Sequence, residues 1–218
     1  MEELLHRLIE TWFHWVQDWG YLGIILLMAM ESSIFPVPSE IVVPPAAFLA
    51  AQGEMNFWGV VLAGTVGSYL GSAITYGVSR WLGRPFVLRY GRFFFLSPEK
   101  LVRAEAWLAR YHAGGIFFAR LLPVIRHLIS IPAGIVRMNF WTFSWVTTLG
   151  SAIWCYILAV LGVQAYRMEP DLIKDPEAMI RFIKGQSHWI ILAVVVFAAL
   201  YLLVMRLSAR RPAPVSTV

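Results

Sequence analysis

The stretch "ESSIFPVPSE", Glu31 to Glu40, decides how this chain folds. It lies between two apolar runs, "YLGIILLMAM" before it and "IVVPPAAFLA" after it. Two carboxylates and two prolines, Pro36 and Pro38, break what would otherwise be one hydrophobic helix, and Pro44 and Pro45 follow closely. Proline removes a backbone donor and clashes with the preceding turn. Ionisable groups are rare and costly where hydrocarbon is expected. The surrounding composition sets how that break is read.

The chain has 218 residues, of which 59% are hydrophobic and 14% charged, with a mean hydropathy of +0.65. A soluble domain carries about 25% charged residues, so the expectation is an all-α integral membrane protein. The net charge of +5 then reads as basic cytoplasmic loops rather than a nucleic-acid surface. The single cysteine, Cys155, excludes an intrachain disulfide and a cysteine metal cluster, and it reads as inert packing. No cofactor and no metal are expected. Residues 1–19 lack the apolar core and cleavage site of a signal peptide. Leu5, Leu8, Trp12, Trp15 and Trp19 recur instead at helical spacing, which predicts an amphipathic helix on the membrane surface. A polar extension of the next helix is the alternative.

A transmembrane helix needs about 20 apolar residues. Residues 57–80, 139–163 and 188–207 qualify, giving about three full spans. Residues 20–52 and 113–136 are apolar but broken, the second by Pro123 and Pro132 and by Arg120, Arg126 and His127. Irregular backbone survives at membrane depth only when protein covers it or it lines a wet cavity. Both regions therefore read as proline-broken re-entrant hairpins, with two kinked full spans as the alternative. Loop 80–112 and the tail beyond residue 205 are rich in arginine and are expected in the cytoplasm, whereas 166–187 has mixed charge and suits the opposite side as an extracytoplasmic connector. The two hairpins then enter from opposite faces.

An internal repeat supports that plan. "MNFW" occurs at Met55–Trp58 and again at Met138–Trp141. Each copy opens a full span, follows a broken hairpin and precedes a Gly-Ser pair, Gly67-Ser68 or Gly150-Ser151, at the same distance. Asn56 and Asn139 are suited to cap those helices. The domain plan is thus a surface helix (1–19), a membrane domain (20–165) with repeats 20–82 and 113–165, the connector (166–187), and a last span with a basic tail (188–218). Opposite topology of the two units makes this an inverted repeat, an architecture of transporters.

The charges at membrane depth divide by sign. The first hairpin supplies Glu31 and Glu40, and the second supplies Arg120 and Arg126 in "FFARLLPVIRHLISIPAG". Arginine stays charged and presents a planar fork of donors that suits phosphate. Glutamate can change protonation, and desolvation and a neighbouring arginine act on that equilibrium in opposite directions. Arg120 and Arg126 are therefore expected to bind an anion, and Glu31 and Glu40 to couple or gate it with protons. His127 is an accessory to that relay or a hydrogen-bonded bystander. Pro36, Pro38, Pro123 and Pro132 break the hairpins. Simple neutralisation of buried charges is the competing reading. Enzyme signatures such as HExxH and GxSxG do not occur in the sequence.

Proline-rich "ESSIFPVPSE", then "GSYLGSAITYGVSRWLGR", "FFARLLPVIRHLISIPAGIVRMNFWTF" and "GSAIW" resemble the DedA family, within the wider VTT or SNARE-associated Golgi protein superfamily. The match runs in order from about residue 20 to 165. The resemblance implies a multi-pass protein of the bacterial inner membrane, and the basic tail places its C-terminus in the cytoplasm. It implies a flippase that moves undecaprenyl phosphate or a related polyprenyl-phosphate carrier for the cell envelope and depends on the proton motive force. It maps the family's essential acids to Glu31 and Glu40 and its essential arginines to Arg120 and Arg126. One departure is visible: some members place the second acid as aspartate after Pro-Gly, whereas here Glu40 follows Pro38-Ser39. Alternatives are a phosphatidylethanolamine or general phospholipid flippase or scramblase, and, in another class, a proton-coupled ion or small-solute antiporter. Expected partners are membrane lipids and protons, with no nucleic acid and the oligomeric state open.

Overall fold

The computed structural model describes residues 11, 15, 16, 18–33, 38–90, 102, 108, 113–121, 126, 128–168, 192, 196 and 199, with side chains as far as 82 in the long third stretch. Among these residues the secondary structure is entirely helical. Five helices are named here: α1 (Tyr21–Glu31), α2 (Ser39–Gln52), α3 (Phe57–Tyr90), α4 (Ser130–Ile135) and α5 (Phe140–Met168). Residues 113–120 form a further helical segment. The proposed third span, 188–207, lies outside the described residues apart from Leu192, Val196 and Ala199. Of 1–19, only Thr11, Trp15, Val16, Asp18 and Trp19 are described. Val16 is buried in the core and Trp15 stacks on Trp19 at 5.7 Å.

Two of these helices can cross a bilayer: α3 over Phe57–Leu82, and α5. Their outward faces show where lipid would lie. Trp58, Leu62, Val66, Leu70, Ile74, Val78 and Trp81 form one exposed apolar stripe along α3. About 34 Å of helix separates Trp58 from Trp81, close to the roughly 30 Å of a hydrocarbon core with tryptophans at its two interfaces. Trp141, Trp145 and Leu149 continue the same kind of surface on α5.

The spans run antiparallel. Ser68 meets Ser151 near their middles, Tyr76 stacks on Phe143 near one end, and Phe57 meets Tyr156 towards the other. Small residues set these approaches. The Gly67 and Gly71 positions of α3 admit the backbone of Ile25 and Ala29 of α1, where a Cβ would collide. Tyr21 reaches the backbone N–H of Asn56 at 2.8 Å, and Thr75 reaches the carbonyl of Ser32 at 3.2 Å, so α1 runs parallel to α3. The chain then breaks between Glu31 and Ser39. α2 begins directly after extended Pro38. α2 runs back along α5, with Ser39 at Trp154, Pro44 and Ala47 at Gly162, and Phe48 at Tyr166. It returns to the Asn56 end of the bundle.

The second half also packs on both spans. Segment 113–120 packs on its own following span, with Phe117 and Arg120 against Gly150 of α5. α4 packs on the other unit's span, with Gly134 against Tyr76, Ser79 and Arg80 of α3. Helices α1 and α2 have 11 and 14 residues, about 16 and 21 Å of rise, too short to cross alone. Among the described residues two larger apolar clusters result, beside a small one around Ile131. One joins α1, α2, the first half of α3 and the second half of α5. The other joins Tyr76, Ile116, Ala119, Ile129, Ala133 and Phe143.

Candidate functional site

Polar side chains gather where the two clusters meet. Glu31 ends α1, Ser39 starts α2, Arg120 ends the segment 113–120, and Ser130 starts α4. Each lies beside a helix break, so the same proline-rich stretches that interrupt the helices deliver the polar groups to one level. All four are buried, as is Arg126.

Arg126 is the hub. Its Nη2 forms a buried ion pair with Glu31 Oε1 and also donates to Ser39 Oγ. The backbone N–H of Ser39 donates to the same carboxylate oxygen at 2.8 Å. Trp154 supports both partners: its indole N–H donates to Ser39 Oγ at 3.2 Å, and its ring lies 5.1 Å from the guanidinium carbon of Arg126. Arg120 sits apart, with Nη2 donating to Ser130 Oγ at 2.7 Å, yet it interacts electrostatically with both Arg126 and Glu31. Glu40, in the first turn of α2, is half-buried and close enough to Glu31 for their charges to act on each other. Among the described residues it makes no ion pair. A ladder of hydroxyls runs alongside, Ser32 to Ser68 at 3.0 Å and Ser68 to Ser151 at 3.1 Å, joining α1, α3 and α5.

Among the described residues, Glu31 Oε2, Arg120 Nε, Arg126 Nε and Thr147 Oγ1 are buried without a hydrogen-bond partner. An unmet buried polar group costs about 1–3 kcal/mol, more when charged. The buried trio holds two guanidiniums against one carboxylate. An oxyanion that accepts several N–H donors would satisfy both the hydrogen bonds and the charge. Among the described residues no group of three His, Cys, Asp or Glu side chains could hold a metal.

Four sequence-expected residues, Glu31, Glu40, Arg120 and Arg126, thus come together. Pro38 occupies the position before α2, and Pro132 is buried inside α4. Pro36, Pro123 and His127 lie outside the described residues. Sequence reasoning passed over Ser39, Ser130 and Trp154. The signal for them was position: each serine opens a helix after a charged residue, and Trp154 closes the "GSAIW" motif.

Residues 37–164 match the VTT domain family. Among curated proteins, the chain is 36% identical over 157 residues to undecaprenyl phosphate transporter A of Bacillus subtilis, covering 72% of this chain and 77% of that one. It is 32% identical over 151 residues to the protein of the same name in Staphylococcus aureus, covering 67% and 74%. An alkaline phosphatase-like protein of Lactococcus lactis subsp. cremoris is 37% identical over 152 residues, covering 67% and 71%. No solved structure matches. With more than half its length matched, and with a buried charge cluster at its helix breaks, the chain belongs to the VTT domain family, as a membrane protein of the DedA type.

Proposed function

We propose that this protein moves a polyprenyl phosphate, undecaprenyl phosphate or a related carrier, between the leaflets of the bacterial plasma membrane. The observation that carries this reading is the buried pair Arg120 and Arg126 facing a single buried carboxylate, with both Nε donors unmet. The transporter names of the two relatives from Bacillus and Staphylococcus support the same substrate class. A transporter rather than an enzyme is the reading that follows.

The two broken helix pairs act as opposed re-entrant hairpins of an inverted repeat. The packing of α1 and segment 113–120 each on its own following span, and of α2 and α4 each on the other span, supports this. The Arg80 end of α3 faces the cytoplasm under the positive-inside rule. Phosphate and Glu31 compete for Arg126. A proton on Glu31 weakens its hold on the guanidinium and releases it to the phosphate, and loss of that proton returns Arg126 to Glu31 and expels the lipid. Glu40, near the same carboxylate, biases that exchange. The lipid tail remains in the bilayer, along the apolar faces of α3 and α5.

Reconstitution into liposomes with leaflet-resolved assay of polyprenyl phosphate tests this reading. Arg120→Lys keeps the charge but loses the planar fork, and a drop in transport of about tenfold or more is expected, the scale of one charge-assisted hydrogen bond. Glu31→Gln should transport at a rate that no longer responds to an imposed proton gradient. Unchanged transport in both variants would refute the site. Movement of phosphatidylethanolamine in preference to polyprenyl phosphate would favour the second reading, to which the unmet Oε2 of Glu31 and the half-buried Glu40 lend two acceptors for an ammonium headgroup.

A further inference from the structure

The corner where α3 passes the start of α5 holds an open cavity of about 530 Å³, lined by Tyr76, Arg80, Arg137, Asn139, Phe140 and Trp141. It is separate from the buried charge cluster. Arg80 donates to the Tyr76 hydroxyl at 2.8 Å, and that hydroxyl donates to the Met138 carbonyl, which fixes one guanidinium at the cavity wall. Asn139 uses its side-chain oxygen to accept from the N–H groups of Trp141 and Thr142, at 3.0 and 3.2 Å, leaving its NH2 as a donor.

Arg137 shows that this corner is more than a basic loop. It has φ 52, a left-handed conformation that L side chains rarely adopt. Its N–H bonds to Gly134, and the next residue's N–H reaches Ala133, closing helix α4. The same closure at the end of α2 uses Gly53, with φ 91, followed by Glu54. Glycine takes this conformation without penalty. One half of the chain thus places glycine and then an acid at its corner, and the other places a disfavoured arginine. Local strain concentrates at sites of function. The corresponding corner cavity in the first half is lined by Tyr21, Glu54 and Met55 and carries an acid where this one carries two arginines.

We propose that the Arg80–Arg137 corner docks the phosphate headgroup of a membrane lipid at the bilayer surface. Two guanidiniums and an amide supply the donors, and Trp141, 75% exposed, with Trp81, 85% exposed, sets the corner at headgroup depth. The site rests on the membrane reading but not on transport: it captures an anionic headgroup at one face only, because the opposite corner repels it.

The test uses the full chain in phosphatidylcholine nanodiscs. A fluorophore is placed through Val136→Cys in a Cys155→Ala background, and dioctanoyl phosphatidate is titrated in. The wild-type corner should report saturable binding. Arg137→Gly should weaken it about tenfold, the scale of one charge-assisted hydrogen bond, without lowering the melting temperature. If that variant fails to fold, Arg137→Asn replaces it, since asparagine tolerates this backbone. Arg120→Lys, in the buried cluster, should leave corner affinity within about twofold, as for sites that do not share partners. Wild-type affinity in the Arg137 variants, loss of the signal in Arg120→Lys, or an equal response to inorganic phosphate would each overturn the proposal. Corner binding without lipid translocation would defeat the transport reading alone, and translocation without corner binding would defeat this inference alone.

Discussion

Arg126 shows how one side chain is held in an apolar bundle. Glu31 and Ser39 take its Nη2, and Trp154 lies against its face. Removing one partner of a buried ion pair costs about 3–5 kcal/mol, since it strands the other charge, so Glu31→Ala should lower the melting temperature markedly, whereas Glu31→Gln, which keeps an acceptor for the Ser39 N–H, should lower it less. Trp154→Phe removes only the indole donor, about 1 kcal/mol, and keeps the ring under the guanidinium. Trp154→Leu also loses the cation–π contact, worth about 2 kcal/mol when desolvated. Thermal unfolding in detergent should therefore rank wild type, then Phe, then Leu, with apparent affinity for the lipid phosphate falling in the same order if Trp154 positions Arg126. The charged members of this site were legible in the sequence because charge is scarce there. Ser39 and Ser130 were not, since serine is common in membrane helices, and Trp154 was hidden because tryptophan in such a chain first suggests an interface.

At the scale of the element, the helix break between α1 and α2 was legible and the pairing of the helices was not. Proline and the residues before it mark where α1 stops and α2 begins. Which span each arm packs against depends on glycines whose role is visible only in three dimensions. Gly67 admits the α1 backbone, while Gly77 on the same helix has nothing within 4 Å of an added Cβ. Gly67→Ala should thus force α1 from α3 and lower the melting temperature. Gly77→Ala should raise stability by up to about 1 kcal/mol through helix propensity. Opposite signs for one chemical change along one helix form the prediction, read by thermal unfolding of the two variants. Equal effects would mean that α1 does not lie where these contacts put it.

For the whole molecule, the "MNFW" repeat leads to the expectation of two matched units, and the contacts cross between the two halves: α2 rests on α5 and α4 rests on α3. Separating the halves would expose the buried Glu31–Arg126 ion pair. The opposed arrangement has a direct test, because the sequence has one cysteine and it is buried. In a Cys155→Ala background, Glu54→Cys and Val136→Cys should react with a membrane-impermeant maleimide from opposite sides of sealed vesicles. Reaction of both from the same side would remove the inverted repeat. Residues 169–191 and the tail lie outside the described part, so the last span enters this picture from its sequence alone.

The hydroxyl ladder of Ser32, Ser68 and Ser151 has a mechanical meaning. A hydroxyl can give or receive, so each rung can reverse its polarity without either oxygen moving. One rung, Ser68 to Ser151, joins the two spans, and the other, Ser32 to Ser68, ties α1 to α3. Under the proposed exchange at Arg126, such rungs would reorient while the helices stay bonded, and the seam would act as a bearing that holds the helices together while leaving the direction of its bonds free.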